Sequence, residues 1–173
     1  MAERKFVENL IMENVPGNCI YWKNFSGTPG PFNTDGKRSF HLALDEEYAR
    51  TLEQQGWKIK WPKEQNEDHT LRPLLPVFLR FDVVPPTVYM VNESGKLQLD
   101  DESVRELDHS YIEKIDVVIT PYHWEFNGQE GIKAYVKSLY AFMEEDPLAK
   151  KYRDVPERLS SPARRYVDEE VPF

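Results

Sequence analysis

The chain has 173 residues, 40% hydrophobic and 30% charged, which supplies one packed core and excludes wholesale disorder. Thirty acidic against twenty-two basic side chains give a formal charge of −8, and the single cysteine, Cys19, excludes an internal disulfide framework or a cysteine-built zinc site. No apolar run approaches the roughly 18 residues of a membrane helix, and Met-Ala-Glu-Arg-Lys-Phe at the start has no signal-peptide stretch, so the expectation is a soluble, cytoplasmic protein with no membrane partner.

Nine Phe, nine Tyr, four Trp and thirteen Pro favour short strands over a helical bundle. In chain order, residues 6–12 begin a strand-like segment that the turn signal Pro16-Gly17-Asn18 interrupts. Cys19–Phe25 follows with strong β preference, and Cys19 is expected to be buried and inert there. Residues 26–36, with three glycines and two prolines, read as a flexible loop without regular structure. Ser39–Leu44 places Phe40, Leu42 and Leu44 on one face of a strand. Asp45 is the expected N-cap of a helix over 46–55 that Gly56 closes.

Trp57, Ile59 and Trp61 alternate with Lys58 and Lys60, rings inward and lysines outward. After a polar loop over 62–73, strands are expected over 75–82 and 87–92, the second ending in the turn Asn92-Glu93-Ser94-Gly95. Asp100 or Asp101 caps a short helix to about Asp108, and Asn127-Gly128 turns a long closing hairpin made of 115–126 and 131–143. Within its second arm the even positions Ile132, Ala134, Val136, Tyr140 and Phe142 are expected to form one apolar face. This pattern is mainly β: a five-stranded OB-fold barrel with extra strands and two or three short helices. The expected division is an OB-fold nucleic-acid-binding domain over 1–146, a helix and linker over 147–166, and a tip over 167–173.

The tip is the most specific motif. Asp168, Glu169, Glu170, Val171, Pro172 and Phe173 put three acids ahead of an apolar residue, proline and a terminal aromatic, a compact peg for an apolar pocket rimmed by cations. These six residues resemble the acidic C-terminal tip of bacterial single-stranded DNA-binding proteins. The body resembles phage-encoded single-stranded DNA-binding proteins more closely, through Trp22-Lys23-Asn24-Phe25-Ser26-Gly27, Gly36-Lys37-Arg38-Ser39-Phe40 and Gly131-Ile132-Lys133-Ala134-Tyr135-Val136. The resemblance implies non-specific single-stranded DNA binding during phage DNA replication or recombination, in the cytoplasm of a bacterial or phage-infected cell. It also implies that the tip recruits replication and recombination proteins.

Single-strand binding needs cations along the phosphates and rings on which bases stack. The closing hairpin offers Lys133, Tyr135 and Lys137 on one face, with Tyr122 and Trp124 across the turn. Lys58, Lys60 and Arg80 add a second basic edge, and Trp22, Lys23, Phe25, Lys37 and Arg38 flank the glycine-rich loop. Residues 143–173 hold six basic and eight acidic side chains, so residues 1–142 still carry −6, and any basic surface must be local.

His41, His69, His109 and His123 have no metal-ligand spacing, Asp100-Asp101-Glu102 fits helix capping, and no phosphate loop or nucleophile elbow occurs, so neither catalysis nor a cofactor is expected. The rival reading is a module that docks on a host replication or defence protein without touching DNA. The two differ over whether Lys58, Lys60, Lys133, Tyr135 and Lys137 share one surface. Homo-oligomerisation is left open.

Overall fold

Period-two alternation and β-branched runs build eight strands in the computed structural model, which describes residues 7–31, 33, 35–63, 71–144 and 146–158. They are β1 (Leu10–Pro16), β2 (Ile20–Asn24), β3 (Arg38–Ala43), β4 (Leu74–Leu79), β5 (Thr87–Asn92), β6 (Gly95–Leu99), β7 (Ile112–Phe126) and β8 (Gln129–Met143), with helices α1 (Glu46–Gln55), α2 (Glu106–His109) and α3 (Pro147–Lys151). The mainly β class expected from the sequence is the observed one. The expected tip, 167–173, and most of the 62–73 loop lie outside the described residues.

The strands pair in the order β1-β7-β8-β4-β3-β2. Only Gly17–Cys19 separates the two ends of that order, so residues 10–24 act as one bent run that leaves β7 and arrives at β3. The bend needs glycine, because a Cβ at Gly17 would sit on the Ile112 carbonyl. β7 and β8 form the expected long hairpin, with Asn127 and Gly128 at φ 51° and 77° as a type I′ turn requires.

One edge of β8 is shared by two strands, both parallel to it. β4 pairs at Ala134 and Tyr135, and β5 pairs from Ser138 to Phe142. Between these stretches the β7–β8 register shifts, leaving Lys137 without a cross-strand partner. This bulge corrects the expected apolar face. Ile132, Ala134 and Val136 point inward, but beyond Lys137 the inward residues are Leu139 and Ala141, while Tyr140 and Phe142 turn to the outer face.

The interior is filled by Phe25, Phe40, Leu42, Leu75, Val77, Ile115, Ile119, Ile132 and Leu139, sealed on one side by Leu52 of α1 and by Trp57. Each such burial contributes about 1.5–3 kcal/mol. Gly56 closes α1 at φ 106° as expected. Asp45 stands at its N-cap but caps no amide; its carboxylate faces Arg72 at 3.3 Å instead. Asp100 does cap, accepting from the backbone N–H groups of Glu102 and Ser103 at 3.0 and 2.7 Å, which holds its carboxyl below the usual range. Cys19 is half-buried in the 17–19 turn, 3.3 Å from Arg72 Nη1, and not within a strand.

Candidate nucleic-acid interface

Two confluent hollows, of about 1040 and 590 Å³, run across the outer faces of β2, β3, β4 and β8. They share Asp35, Lys37, Phe78 and Lys133, and so form one groove. Outward parity explains the floor: Val77 and Ala134 point into the core, so Phe78 and Tyr135, directly opposite one another, point out.

The larger hollow is lined by Trp22, Lys23, Lys37, Lys58, Lys60 and Lys133. Residues 57–61 form no strand. Their backbone instead bonds on two sides, Lys58 N–H to Ile132 O at 3.3 Å and Lys60 N–H to Leu74 O at 2.8 Å. With Trp57 anchored in the core, Lys58 and Lys60 are left facing the groove, as the alternation predicts. Among the described residues no carboxylate pairs with Lys37, Lys58, Lys60 or Lys133. Burial, followed by the neighbouring charges of Lys37, Lys58 and Arg80, pushes the Lys133 ammonium below its ordinary pKa. Four unpaired cations crowded together are a site for an anion.

Trp22 reaches the rim through a strained backbone. The β2–β3 register shifts between Tyr21 and Asn24, and Trp22 takes φ 52°, uncommon for a bulky residue, which leaves its ring 66% exposed. Its edge rests on His41, centroids 5.0 Å apart at 74°. Lys60 Nζ donates to His41 Nε2 at 3.3 Å. Burial and the Lys60 charge lower the His41 pKa to about 4, and Nδ1 is buried without a partner. Lys23 donates to Ser110 O at 2.8 Å; burial lowers its pKa, and Asp108 partly opposes this.

Side-chain hydrogen bonds tie together the described residues of the glycine-rich loop. Asn24 bonds Thr28 in both directions at 3.0 Å, Asn33 bonds the Lys37 N–H and carbonyl at 2.9 and 2.8 Å, and Asp108 accepts from the Phe25 and Ser26 amides at 2.7 and 2.9 Å. Gly27 and Gly36, both left-handed, meet at the loop's neck.

In the smaller hollow the two arginines are engaged. Arg38 donates to Phe25 O at 2.9 Å and lies over Phe81, 5.1 Å from its centroid. Arg80 makes two bonds to Asp82, at 3.2 and 3.0 Å. Tyr135 adjoins Phe78 at 6.1 Å and meets the exposed Tyr122 edge-on at 5.8 Å.

Of the residues read from sequence, Trp22, Lys23, Lys37, Arg38, Lys58, Lys60, Arg80, Lys133 and Tyr135 line the groove. Tyr122 adjoins it through Tyr135, and Trp124 packs on Gly131 outside it. Phe25 is a correction: its ring is 1% exposed and stacked on Phe40, so it offers no face to a ligand. Lys137 is exposed at the bulge, beside the groove and not part of its lining. Phe78 and His41 were missing from the expected set. Phe78 shares its parity with Arg80, a signal available in the sequence, whereas His41 emerges only once Trp22 and Lys60 are brought to it.

Residues 1–164 match the model of the family described as "Putative phage ssDNA-binding domain". Three solved structures of the single-stranded DNA-binding protein from bacteriophage Enc34 share the fold. A C-terminal truncation has TM-score 0.50 and 14% identity over 80% of this chain and 88% of that one. A complex with ssDNA has TM-score 0.51 and 15% identity over the same shares. A further structure has TM-score 0.50 and 14% identity over 91% of this chain and 89% of the other. No curated protein matches the chain.

Proposed function

The chain belongs to the phage ssDNA-binding domain family, and on that premise we propose that its groove binds single-stranded DNA without reading sequence. The observation that carries this is the convergence of Lys37, Lys58, Lys60 and Lys133, without acidic partners among the described residues, beside the rings of Phe78, Tyr135 and Trp22. The lysines neutralise successive phosphates. Bases stack on the rings, each contributing about 1–3 kcal/mol regardless of base identity. Lys133 rests over Phe78, 4.8 Å from its centroid; an arriving base takes that face and the lysine moves to a phosphate. Asp35, Asp82, Asp101 and Asp108 around the same groove disfavour the denser charge of a duplex.

We read the strand order, whose two ends are joined through the Gly17–Cys19 bend, as an OB-type barrel over 1–146, with 147–166 as helix and linker. The tip 167–173 is then a docking peptide for replication and recombination proteins in the cytoplasm of the infected cell. Deleting 167–173 should abolish partner capture and leave the groove able to bind.

Titrating the chain with oligo-dT at several salt concentrations, read by tryptophan fluorescence, tests the groove. Four neutralised phosphates give a slope of log affinity on log salt of about −3. Each lysine-to-methionine change in the groove should lower that slope by about 0.7. Absence of binding at low salt would end the proposal and favour the protein-docking reading.

A further inference from the structure

The outer face of β8 carries the same three-part arrangement twice, once on each side of its bulge. On one side Phe78 of β4 stands directly opposite Tyr135, with Lys133 Nζ 4.8 Å from the Phe78 centroid. On the other, Tyr89 of β5 stands directly opposite Tyr140, the rings 5.2 Å apart and within 14° of parallel, with Lys96 Nζ 4.7 Å over Tyr89. In both, a strand paired in parallel to the same edge of β8 supplies the first ring, β8 supplies the second, and a lysine covers the first. Lys137 is exposed at the bulge between them.

The second set lies outside both hollows of the groove. From Tyr135 to Tyr140 is five residues, about 16 Å at a strand's rise, or about five nucleotides at the 3.4 Å spacing of a duplex strand and fewer in a stretched one. Asp116, across from Tyr140, already accepts the Asn14 N–H at 2.7 Å. Glu113 and Glu144 stand beside Phe142 and end the path there. A lysine over a ring face is a weak, exchangeable partner, and a stacked base is a stronger one.

We propose that Tyr89, Tyr140 and Lys96 form a second ledge that takes nucleotides leaving the groove, so that one chain covers a longer stretch of single strand than the groove alone. This rests on the groove reading above. The test compares oligo-dT of about 6 and about 15 nucleotides, near the short and long ends of the range of one OB fold, on the full chain and on Tyr89→Leu and Lys96→Glu. Lys96 is exposed, so its replacement leaves packing intact. The expected result is that both variants bind the long oligomer roughly tenfold more weakly and the short one as the parent does. Equal affinities of parent and Lys96→Glu for the long oligomer, or equal losses at both lengths, overturn the ledge while leaving the groove standing. A parent chain that binds neither length overturns both.

Discussion

The two hollows of the groove share Lys37 and Lys133, and the cations that each adds are employed differently. In the larger one Lys37, Lys58, Lys60 and Lys133 crowd together with no carboxylate paired to them among the described residues. In the smaller one Arg38 is committed to the Phe25 carbonyl and the Phe81 ring, and Arg80 to Asp82. Guanidinium groups make several directed bonds and stack on rings, so they are readily absorbed into structure; an ammonium on a flexible stem remains available. A count of positive side chains therefore overstates what the smaller hollow offers a phosphate. Beyond the shared Lys37 and Lys133, its contribution is the ring floor.

The largest expected effect falls on the lysine side. Replacing Lys58 and Lys133 together by Glu should weaken oligo-dT binding by about 4 kcal/mol, roughly a thousandfold, as two charge-assisted contacts are lost. Anisotropy titration measures it, and an unaffected affinity would place the phosphates elsewhere.

Acid should also act through this side. His41 has a folded pKa of about 4 against an ordinary 6.5, so the folded state binds fewer protons than the unfolded one between those values. Stability should fall as pH drops from about 6.5 to about 4, by about 1–2 kcal/mol once solvent screening of this partly buried ring is allowed for. Urea unfolding at the two pH values tests this. His41→Gln should remove that component of the loss, and Lys60→Met should shrink it by removing the neighbouring charge.

The loop joining the two hollows offers a sharper contrast between glycines. Gly27→Ala would force a Cβ to 2.8 Å from the Gly36 carbonyl at φ 71°, costing about 2 kcal/mol in thermal unfolding. Gly128→Ala, at φ 77° with open space around it, should cost about 1 kcal/mol. Equal costs would mean that the neck is not tightly packed. The smallest effect belongs to the arginine side: Arg80→Gln, whose charge Asp82 already holds, should weaken DNA binding by less than about fivefold. A loss as large as that of the lysine pair would erase the distinction between the hollows.

Much of this surface was legible because it depends on parity alone. Lys58 and Lys60 against Trp57 and Trp61, and Lys133 and Tyr135 against Ile132 and Ala134, follow from a two-residue period that any strand-like segment obeys. Phe25 reads as a site residue because it flanks the glycine-rich loop, but the core claims its ring through Phe40, a contact fifteen residues away in sequence. Lys137 falls outside the groove lining for a different reason. Its place depends on β4 and β5 sharing one edge of β8, and no periodicity within β8 announces where one partner ends and the other begins.

By itself the sequence determined the mainly β class, the Asn127-Gly128 hairpin, the Gly56 helix stop and the acidic balance that confines any basic surface to a patch. These are local properties, set by φ preferences, turn chemistry and composition within a few residues. Only the tertiary structure decided which lysines meet, why Trp22 turns outward, and that His41 lies beneath it. Those outcomes depend on pairings between distant strands, where packing and register, rather than local preference, choose among backbones of similar energy.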